Sequence, residues 1–393
     1  MAHILVASHE FPPGVGGASR FAELVSTLLS TQGVRVTVLT PVAAGSSERA
    51  SAYARRRITI PMRSGFSHWA WRTHILRAWR AEQPTMILAT DVMTQRACAL
   101  LPSAIRRRCA LIAHGTEILA NFSEPWPKRM VYTRLYRDAG VILANSRYTQ
   151  ALLLERGVDP ERVRLAFPWL ESAWWEEPAR PERIQQRYGL AGRRVLLTVG
   201  RLSIRKAQDA VIRVLPLIRA RVPNVVYLLV GAGEQRPALE ALARAGGVDE
   251  AVVFAGEVPR SDRLMDYYDA CDVFVMPSRV AGPLVEGLGI AFLEAQARGK
   301  PVVGGRTGGA REALQDGVTG RLADPERVPE LAEMLANMLM DRDDAARMGR
   351  AGREWVRETF GASQSARWAQ ALLGSGFAPQ RHVPGVAEQA VSV

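Results

Sequence analysis

The chain has 393 residues, with 51 Lys plus Arg against 39 Asp plus Glu, for a formal charge of +12. With 48% of residues apolar and 23% charged, it can bury a core in each of two domains of roughly 150–200 residues, which excludes a disordered or fibrous protein. Cys98, Cys109 and Cys271 are too scattered for a disulfide framework or a CxxC zinc pair and fit a reducing cytosol.

The spacing of apolar residues predicts a strand at 3–7, a Pro/Gly loop at 11–17, a helix at 19–31 and a strand at 34–39. The apolar start is shorter than a signal peptide's and lacks a basic leader, and no apolar run reaches the length of a bilayer span, so neither export nor membrane spanning is expected. A helix at 68–81 follows, then strands at 86–89 and 110–113, a helix at 127–139, a strand at 141–144 and a helix at 148–156. A Trp- and Pro-rich break at 169–188 separates this half from a second alternation. That one runs strand 195–199, helix 206–221, strand 225–230, helix 235–245, strand 252–254, helix 261–270, strand 273–276, helix 290–297, strand 301–303, and helices to 373. Such alternation predicts α/β architecture with parallel doubly wound sheets, and ligand sites at the carboxyl ends of the strands in the cleft between two Rossmann-like domains. The polar tail at 374–393 is expected to be disordered.

The charge is unevenly spread. Residues 1–170 hold 22 Lys plus Arg and 11 Asp plus Glu, and the remainder holds 29 and 28. The excess clusters at Arg55 to Arg57 and Arg63, at Arg72, Arg77 and Arg80, at Arg106 to Arg108, and at Lys128 and Arg129. An anionic partner surface and a plain Arg-rich surface both account for it. Trp69, Trp71 and Trp79 share one helix with three of these arginines, which suits an interfacial helix. Trp71, Ile75, Ala78 and Trp79 equally form a stripe of ordinary core spacing.

Gly14, Gly16 and Ser19 approach a dinucleotide fingerprint, but Ser takes the third glycine's place and the next strand ends without an acidic residue for a ribose. Gly231 and Gly233 fail at Arg236, so a nicotinamide enzyme is not expected. A glycine loop opening a helix still offers backbone N–H groups to an anion. Arg201 and Lys206 follow the strand 195–199, one a planar fork and one a point charge, and together suit a pyrophosphate. Glu286 and Glu294 lie eight residues apart in EGLGIAFLEAQAR, where Gly289 and Ile290 leave free N–H groups at a helix start. MPSR at Met276 to Arg279 precedes that segment and GGARE at Gly308 to Glu312 follows it. Asp341, Arg342 and Asp343 form a DxD lying between C-terminal helices, read as cap and loop residues rather than a metal site.

On these residues the chain resembles retaining glycosyltransferases of family four, and among them the bacterial GDP-mannose-dependent α-mannosyltransferases of the phosphatidylinositol mannoside type. The likeness runs from about residue 3 to 373. It rests on the Glu286 to Glu294 segment, supported by Arg201 with Lys206, Gly16 and Gly17 after the Pro pair, His114 in HGTE, and Asn145-Ser146 with Tyr148-Thr149. The resemblance implies a GT-B fold with an acceptor domain at 1–170, a linker at 171–192 and a nucleotide-sugar domain at 193–355, and a helix at 356–373 packing back on the first domain. It implies that Arg201 and Lys206 bind the donor diphosphate, Glu286 holds the sugar and Glu294 the ribose. Backbone at Gly16, Gly17, Gly289, Ile290 and Ala291 would cradle phosphate and sugar, Val258 would lie against the base, and His114 would face the reacting sugar. The family's usual Asn-Gly turn at the entry to the linker is replaced here by Phe167 to Leu170. The expected partners are a nucleotide-sugar donor and a lipid-linked or glycan acceptor, with contact to an anionic membrane from the cytoplasmic side, no nucleic acid and no metal. The rival readings are a sugar-nucleotide 2-epimerase of the same architecture, a UDP-sugar transferase, and a nucleic-acid binder, which lacks stacking motifs and a groove-reading helix.

Overall fold

A computed structural model describes residues 2–12, 16–41, 53–58, 67–178, 180–258 and 263–374; Gly14, Arg63 and the expected tail beyond 374 lie outside them. The first sheet has strands β1 (His3–Ala7), β2 (Arg35–Pro41), β3 (Ala54–Ile58), β4 (Met86–Ala89), β5 (Cys109–Ala113), β6 (Val141–Ala144) and β7 (Val163–Leu165), in the order β3-β2-β1-β4-β5-β6-β7. The second has β8 (Arg194–Val199), β9 (Val225–Val230), β10 (Val252–Gly256), β11 (Val273–Met276), β12 (Val302–Gly305) and β13 (Gly320–Ala323), in the order β10-β9-β8-β11-β12-β13. Every pairing is parallel, so helices cover both faces of each sheet and the central strands are apolar throughout. Alternate residues of one strand accordingly enter different cores: Leu5 and Ala7 on one face of the first sheet, Ile4 and Val6 on the other.

Three strands depart from the expectation. β3 carries Arg55 to Arg57 at the end of the strand order among the described residues, and an edge strand tolerates polar residues. β7 and β13 are three and four residues long, and in each an arginine breaks the apolar run, VRL and GRLA. The predicted helix at 206–221 begins at Gln208 instead. Ile204–Lys206 forms a 3-10 turn that ends at Ala207 with φ of +55°, so Lys206 sits in a tight turn rather than in a helix.

The halves are tied at the back of the cleft. Leu170 N donates to the Phe360 carbonyl at 3.0 Å. Helix Arg342–Phe360 runs through the predicted boundary at 355 and breaks at Gly361, where a side chain would collide with the Arg357 carbonyl. Helix Ser363–Leu373 then crosses to the first domain. Its Trp368 is fully buried, packs edge-on against Phe21 at 4.9 Å, and donates from Nε1 to the Phe167 carbonyl at 2.7 Å. Residues 171–192 are not featureless, since they carry helices Ala173–Glu176 and Pro181–Arg187.

Arg298, closing helix Ile290–Ala297, anchors that crossing segment. It makes a two-bond fork with Asp269 at 2.8 and 2.7 Å and donates to the Trp174 and Glu177 carbonyls at 3.0 and 3.1 Å. Both charged side chains are almost wholly buried. Removing one partner of such a pair leaves an uncompensated buried charge, so Arg298→Ala should lower stability in urea by about 3–5 kcal/mol, and Arg298→Met with Asp269→Leu should recover part of it.

Candidate active site

Strand order reverses once in each sheet, between β1 and β4 and between β8 and β11. A parallel sheet opens a ligand crevice beyond the carboxyl ends of its strands at such a point. His9 and Glu10 follow β1, Thr90 and Asp91 follow β4, Gly200 and Arg201 follow β8, and Ser278 and Arg279 follow β11. The two crevices meet: a Cβ at Gly17 would lie 3.9 Å from Ile290 Cδ1. Helices Gly17–Thr31 and Ile290–Ala297 therefore bring their amino ends together across the cleft, each with the backbone N–H groups that favour an anion. Gly16 and Gly289 cap them at φ of +145° and +90°, conformations open to glycine.

Glu286, Lys206 and Arg205 form the charged centre. Glu286 Oε2 lies 2.6 Å from Lys206 Nζ and 2.5 Å from Arg205 Nη1, and Glu286 and Lys206 are both buried. Burial alone would raise the Glu286 carboxyl, but Arg205 and Lys206 outweigh it and hold the group below the usual carboxylate range. Burial lowers the Lys206 ammonium, with Glu286 opposing. The turn that carries both cations is pinned by MPSR: Arg279 N donates to the Arg205 carbonyl at 2.9 Å, and the Arg279 guanidinium grips Asp209 at 3.1 and 3.0 Å. Arg205 was not among the expected site residues. Its neighbour Lys206 already filled the place of a cation, and only the fold shows both converging on one carboxylate.

Glu294 lies in the fifth position of helix Ile290–Ala297 and is buried. Tyr268 Oη donates to its Oε2 at 2.6 Å, while Arg20 Nη1, from the first domain, stands 3.8 Å from Oε1. Burial raises the Glu294 carboxyl, with Arg20 and the Tyr268 hydroxyl opposing. Arg20 is also stacked 5.0 Å over Trp174. Nothing in the local sequence marks Arg20, because its partners come from elements about 150 and 270 residues away, and long-range contacts leave no periodic signal.

His114 follows β5, half-buried, with Nε2 3.2 Å from the Thr90 carbonyl. That carbonyl is only an acceptor, so Nε2 is the donor in this contact. The backbone N–H of His114 donates to the buried Glu117 carboxylate. A side chain at Gly287 would collide with the His114 carbonyl, and Thr116 Oγ1 donates to the Val285 carbonyl at 3.0 Å. The loop bearing Glu286 is thereby seated directly on the loop bearing His114.

Arg201 stands apart from this cluster. Its guanidinium is 62% exposed and faces Glu10 across the cleft at 3.9 Å. Ala291 is half-buried in the first turn of helix Ile290–Ala297. Val258 packs on the second domain's core beside residues outside those described. Asp341 caps helix Arg342–Phe360 by accepting from Asp344 N at 2.9 Å, and Asp343 lies in its first turn. Among the described residues no cluster of three or more His, Cys, Asp or Glu could hold a metal ion, and no helix is long and apolar enough to cross a membrane.

Comparison with known proteins follows the same division. Residues 15–169 match the family model described as Glycosyltransferase Family 4, and residues 181–355 match that described as Glycosyl transferases group 1. The chain is 33% identical to the GDP-mannose-dependent alpha-(1-6)-phosphatidylinositol monomannoside mannosyltransferase of Mycolicibacterium smegmatis, over 96% of this chain and all of that protein. It is 32% identical to the protein of the same name from Mycobacterium tuberculosis, over 91% and 94%. Among solved structures, sucrose-phosphate synthase from Thermosynechococcus elongatus superposes with a TM-score of 0.80 at 19% identity, covering 95% of this chain and 99% of that one. Anabaena HepE in complex with UDP-glucose gives 0.77 at 22%, covering 95% and 100%. With two parallel sheets facing across a cleft and relatives aligned over nearly its whole length, the chain belongs to the family 4 glycosyltransferases of GT-B fold and is a hexosyltransferase.

Proposed function

We propose that the protein transfers mannose from GDP-mannose, with retention at the anomeric carbon, to a hydroxyl of a lipid-linked acceptor of the phosphatidylinositol mannoside type. The observation that carries this reading is the buried Glu286 carboxylate shared by Lys206 and Arg205 where two helix amino ends meet. The names of the two mycobacterial relatives supply the sugar, the base and the acceptor class.

In this reading the donor diphosphate takes Lys206, Arg205 and the exposed Arg201, together with backbone N–H groups at Gly16, Gly17, Gly289, Ile290 and Ala291. Glu286 turns to the sugar hydroxyls, Glu294 accepts from the ribose through the oxygen that Tyr268 leaves open, and Val258 borders the base. The bond from the anomeric carbon to the diphosphate breaks as a bond to the acceptor oxygen forms on the same face. The acceptor's proton passes to the departing diphosphate, and the His114 loop lies against the developing positive charge. Three side-chain cations and two helix ends meet the leaving charge, so the reading assigns no metal. Preorganised groups of this kind give most of the transition-state stabilisation.

Membrane contact at the cytoplasmic face belongs to the same proposal, with a corrected surface. Trp71 is fully buried and Trp79 partly so, whereas Trp69 is 49% exposed, Trp126 70% and Met130 50%. His68 meets Tyr132 ring to ring at 5.9 Å, which sets the first turn of helix Ser67–Glu82 beside helix Lys128–Asp138. Exposed Lys128 and Arg129 border the apolar groups, and aromatic side chains with flanking cations suit an anionic interface.

A panel of GDP, UDP and ADP sugars, read by thermal shift and turnover, should single out GDP-mannose, and a UDP sugar winning the panel would overturn the donor assignment. Product formed from donor alone would favour the epimerase. Lys206→Ala should cut turnover at saturating donor by a factor corresponding to about 3 kcal/mol, and near-wild-type turnover would remove Lys206 from the chemistry.

Donor affinity should fall at both ends of the pH scale. It drops as pH falls through the Glu294 value, raised above 4.5, and as pH rises through the Lys206 value, lowered below 10.5. Titration of GDP-mannose by calorimetry should show the alkaline limb displaced upward in Lys206→Arg, since arginine stays charged; an identical limb in both proteins removes Lys206 as its source.

Flotation with vesicles containing phosphatidylinositol should carry the wild type at low salt and lose the triple variant Trp126→Ser, Lys128→Glu, Arg129→Glu. Equal flotation of both would sink this surface.

A further inference from the structure

Glu312 closes the Gly308–Glu312 turn on the donor side, yet its carboxylate is spent on the other domain. Oε2 accepts from Arg147 N at 2.8 Å and Oε1 from Tyr148 N at 2.6 Å. These are the first two amides of helix Arg147–Leu154, which have no partner inside the helix. The third, Thr149 N, is taken by the N-cap Ser146 Oγ at 3.0 Å. A carboxylate at a helix amino end is stabilised both by these N–H groups and by the helix dipole.

Both sides of that contact lead without slack to reacting groups. On the donor side Gly309 N donates to the Glu286 carbonyl at 2.8 Å, and a side chain at Gly309 would strike the Gly287 carbonyl. The Glu312 turn is thus flush against the segment that holds Glu286. On the acceptor side Thr149 Oγ1 donates to Asn145 Oδ1 at 2.8 Å, Asn145 N donates to the Ala113 carbonyl at 3.0 Å, and Ala113 precedes His114. The circuit closes where Gly287 meets the His114 carbonyl.

We propose that Glu312 is a positioning residue that seats the first domain on the donor loop and so fixes His114 against Glu286 during transfer. It touches neither donor nor acceptor, and the proposal rests on reading the cleft as the transfer site. A packed tether of this kind acts on the geometry of the reacting groups, where a misplacement of about 1 Å costs roughly a hundredfold in rate. Binding of the nucleotide, by contrast, rests chiefly on side chains of the second domain, Lys206, Arg205, Arg201 and Glu294, which Glu312 leaves in place, with the first domain adding only backbone N–H groups at Gly16 and Gly17.

The test compares Glu312→Ala and Glu312→Gln with wild type for GDP affinity by calorimetry, and for kcat and both KM values in mannosyl transfer. Glu312→Ala should lower kcat about 10- to 100-fold while GDP affinity stays within about threefold, and Glu312→Gln, which keeps one acceptor oxygen, should fall between. A finer pair separates the hydrogen bond from the fold. Proline is favoured at the first position of a helix, and Ser146 before it is already extended at φ of −158° and ψ of 163°. Arg147→Pro therefore deletes one N–H donor to Glu312 and leaves the helix intact, while Arg147→Ala keeps the donor. The expected result is a kcat about tenfold lower in Arg147→Pro than in Arg147→Ala, at equal thermal stability. Unchanged kcat in Glu312→Ala, or equal kcat in the Arg147 pair, overturns the positioning role while leaving the donor reading intact. A wild type that binds no GDP or GDP sugar overturns that reading and the proposal with it.

Discussion

One carboxylate held between two cations sets the terms for the rest of this molecule. Burying Glu286 or Lys206 singly would cost several kcal/mol; buried together, with the half-buried Arg205 beside them and Glu286 Oε2 within 2.6 Å of both nitrogens, each offsets the penalty on the other. The arrangement is also poised for exchange. On the proposed reading an entering diphosphate takes over the cations and sugar hydroxyls take over the carboxylate, which leaves no buried charge unpaired. The scaffolding behind the cluster holds this arrangement: Arg279 Nη1 bonded to both oxygens of Asp209, the left-handed turn at Ala207, and Gly289 at a positive φ between Glu286 and the helix.

The same constraint reaches across the cleft. Glu286 is presented by a loop whose other side is pressed on His114, and the close approach depends on Gly287 having no side chain. Arg20 facing Glu294, Glu10 facing Arg201, and Thr116 bonded to Val285 repeat the pattern of one group from each domain. The site is therefore a property of the seated pair of domains, and the helix Ser363–Leu373, held on the first domain by the buried Trp368, ties the two halves together behind it.

How much of this the sequence disclosed follows from what local pattern can encode. The central strands were legible because a parallel sheet covered on both faces demands unbroken apolar runs, and β1, β5, β6, β9 and β11 have them. β3 was not, because an edge strand tolerates three arginines, and β7 (VRL) and β13 (GRLA) are short and broken by arginine. Glu286 and Glu294 were legible not by spacing alone but through the MPSR and GGARE segments that flank them and the family resemblance these carry. Arg205, Arg20 and the destination of Glu312 were not, since each acts on a partner far away in the chain, and a charged residue in a loop reads the same whether it meets solvent or another domain.

The charge excess of the first half is likewise resolved by structure into separate uses. Arg106 pairs with Asp138, Arg96 pairs with Glu124, and Arg72 and Arg134 donate to the Leu100 and Ala99 carbonyls. These guanidiniums serve the ends of strands and helices, where unpaired carbonyls need donors. Net charge thus overstates the surface offered to an anionic partner, because much of it is already committed within the fold. Lys128 and Arg129 differ in standing exposed beside Trp126 and Met130. It is this conjunction of exposed cations with uncovered apolar groups, rather than the sum of +12, on which the proposal of a lipid interface rests.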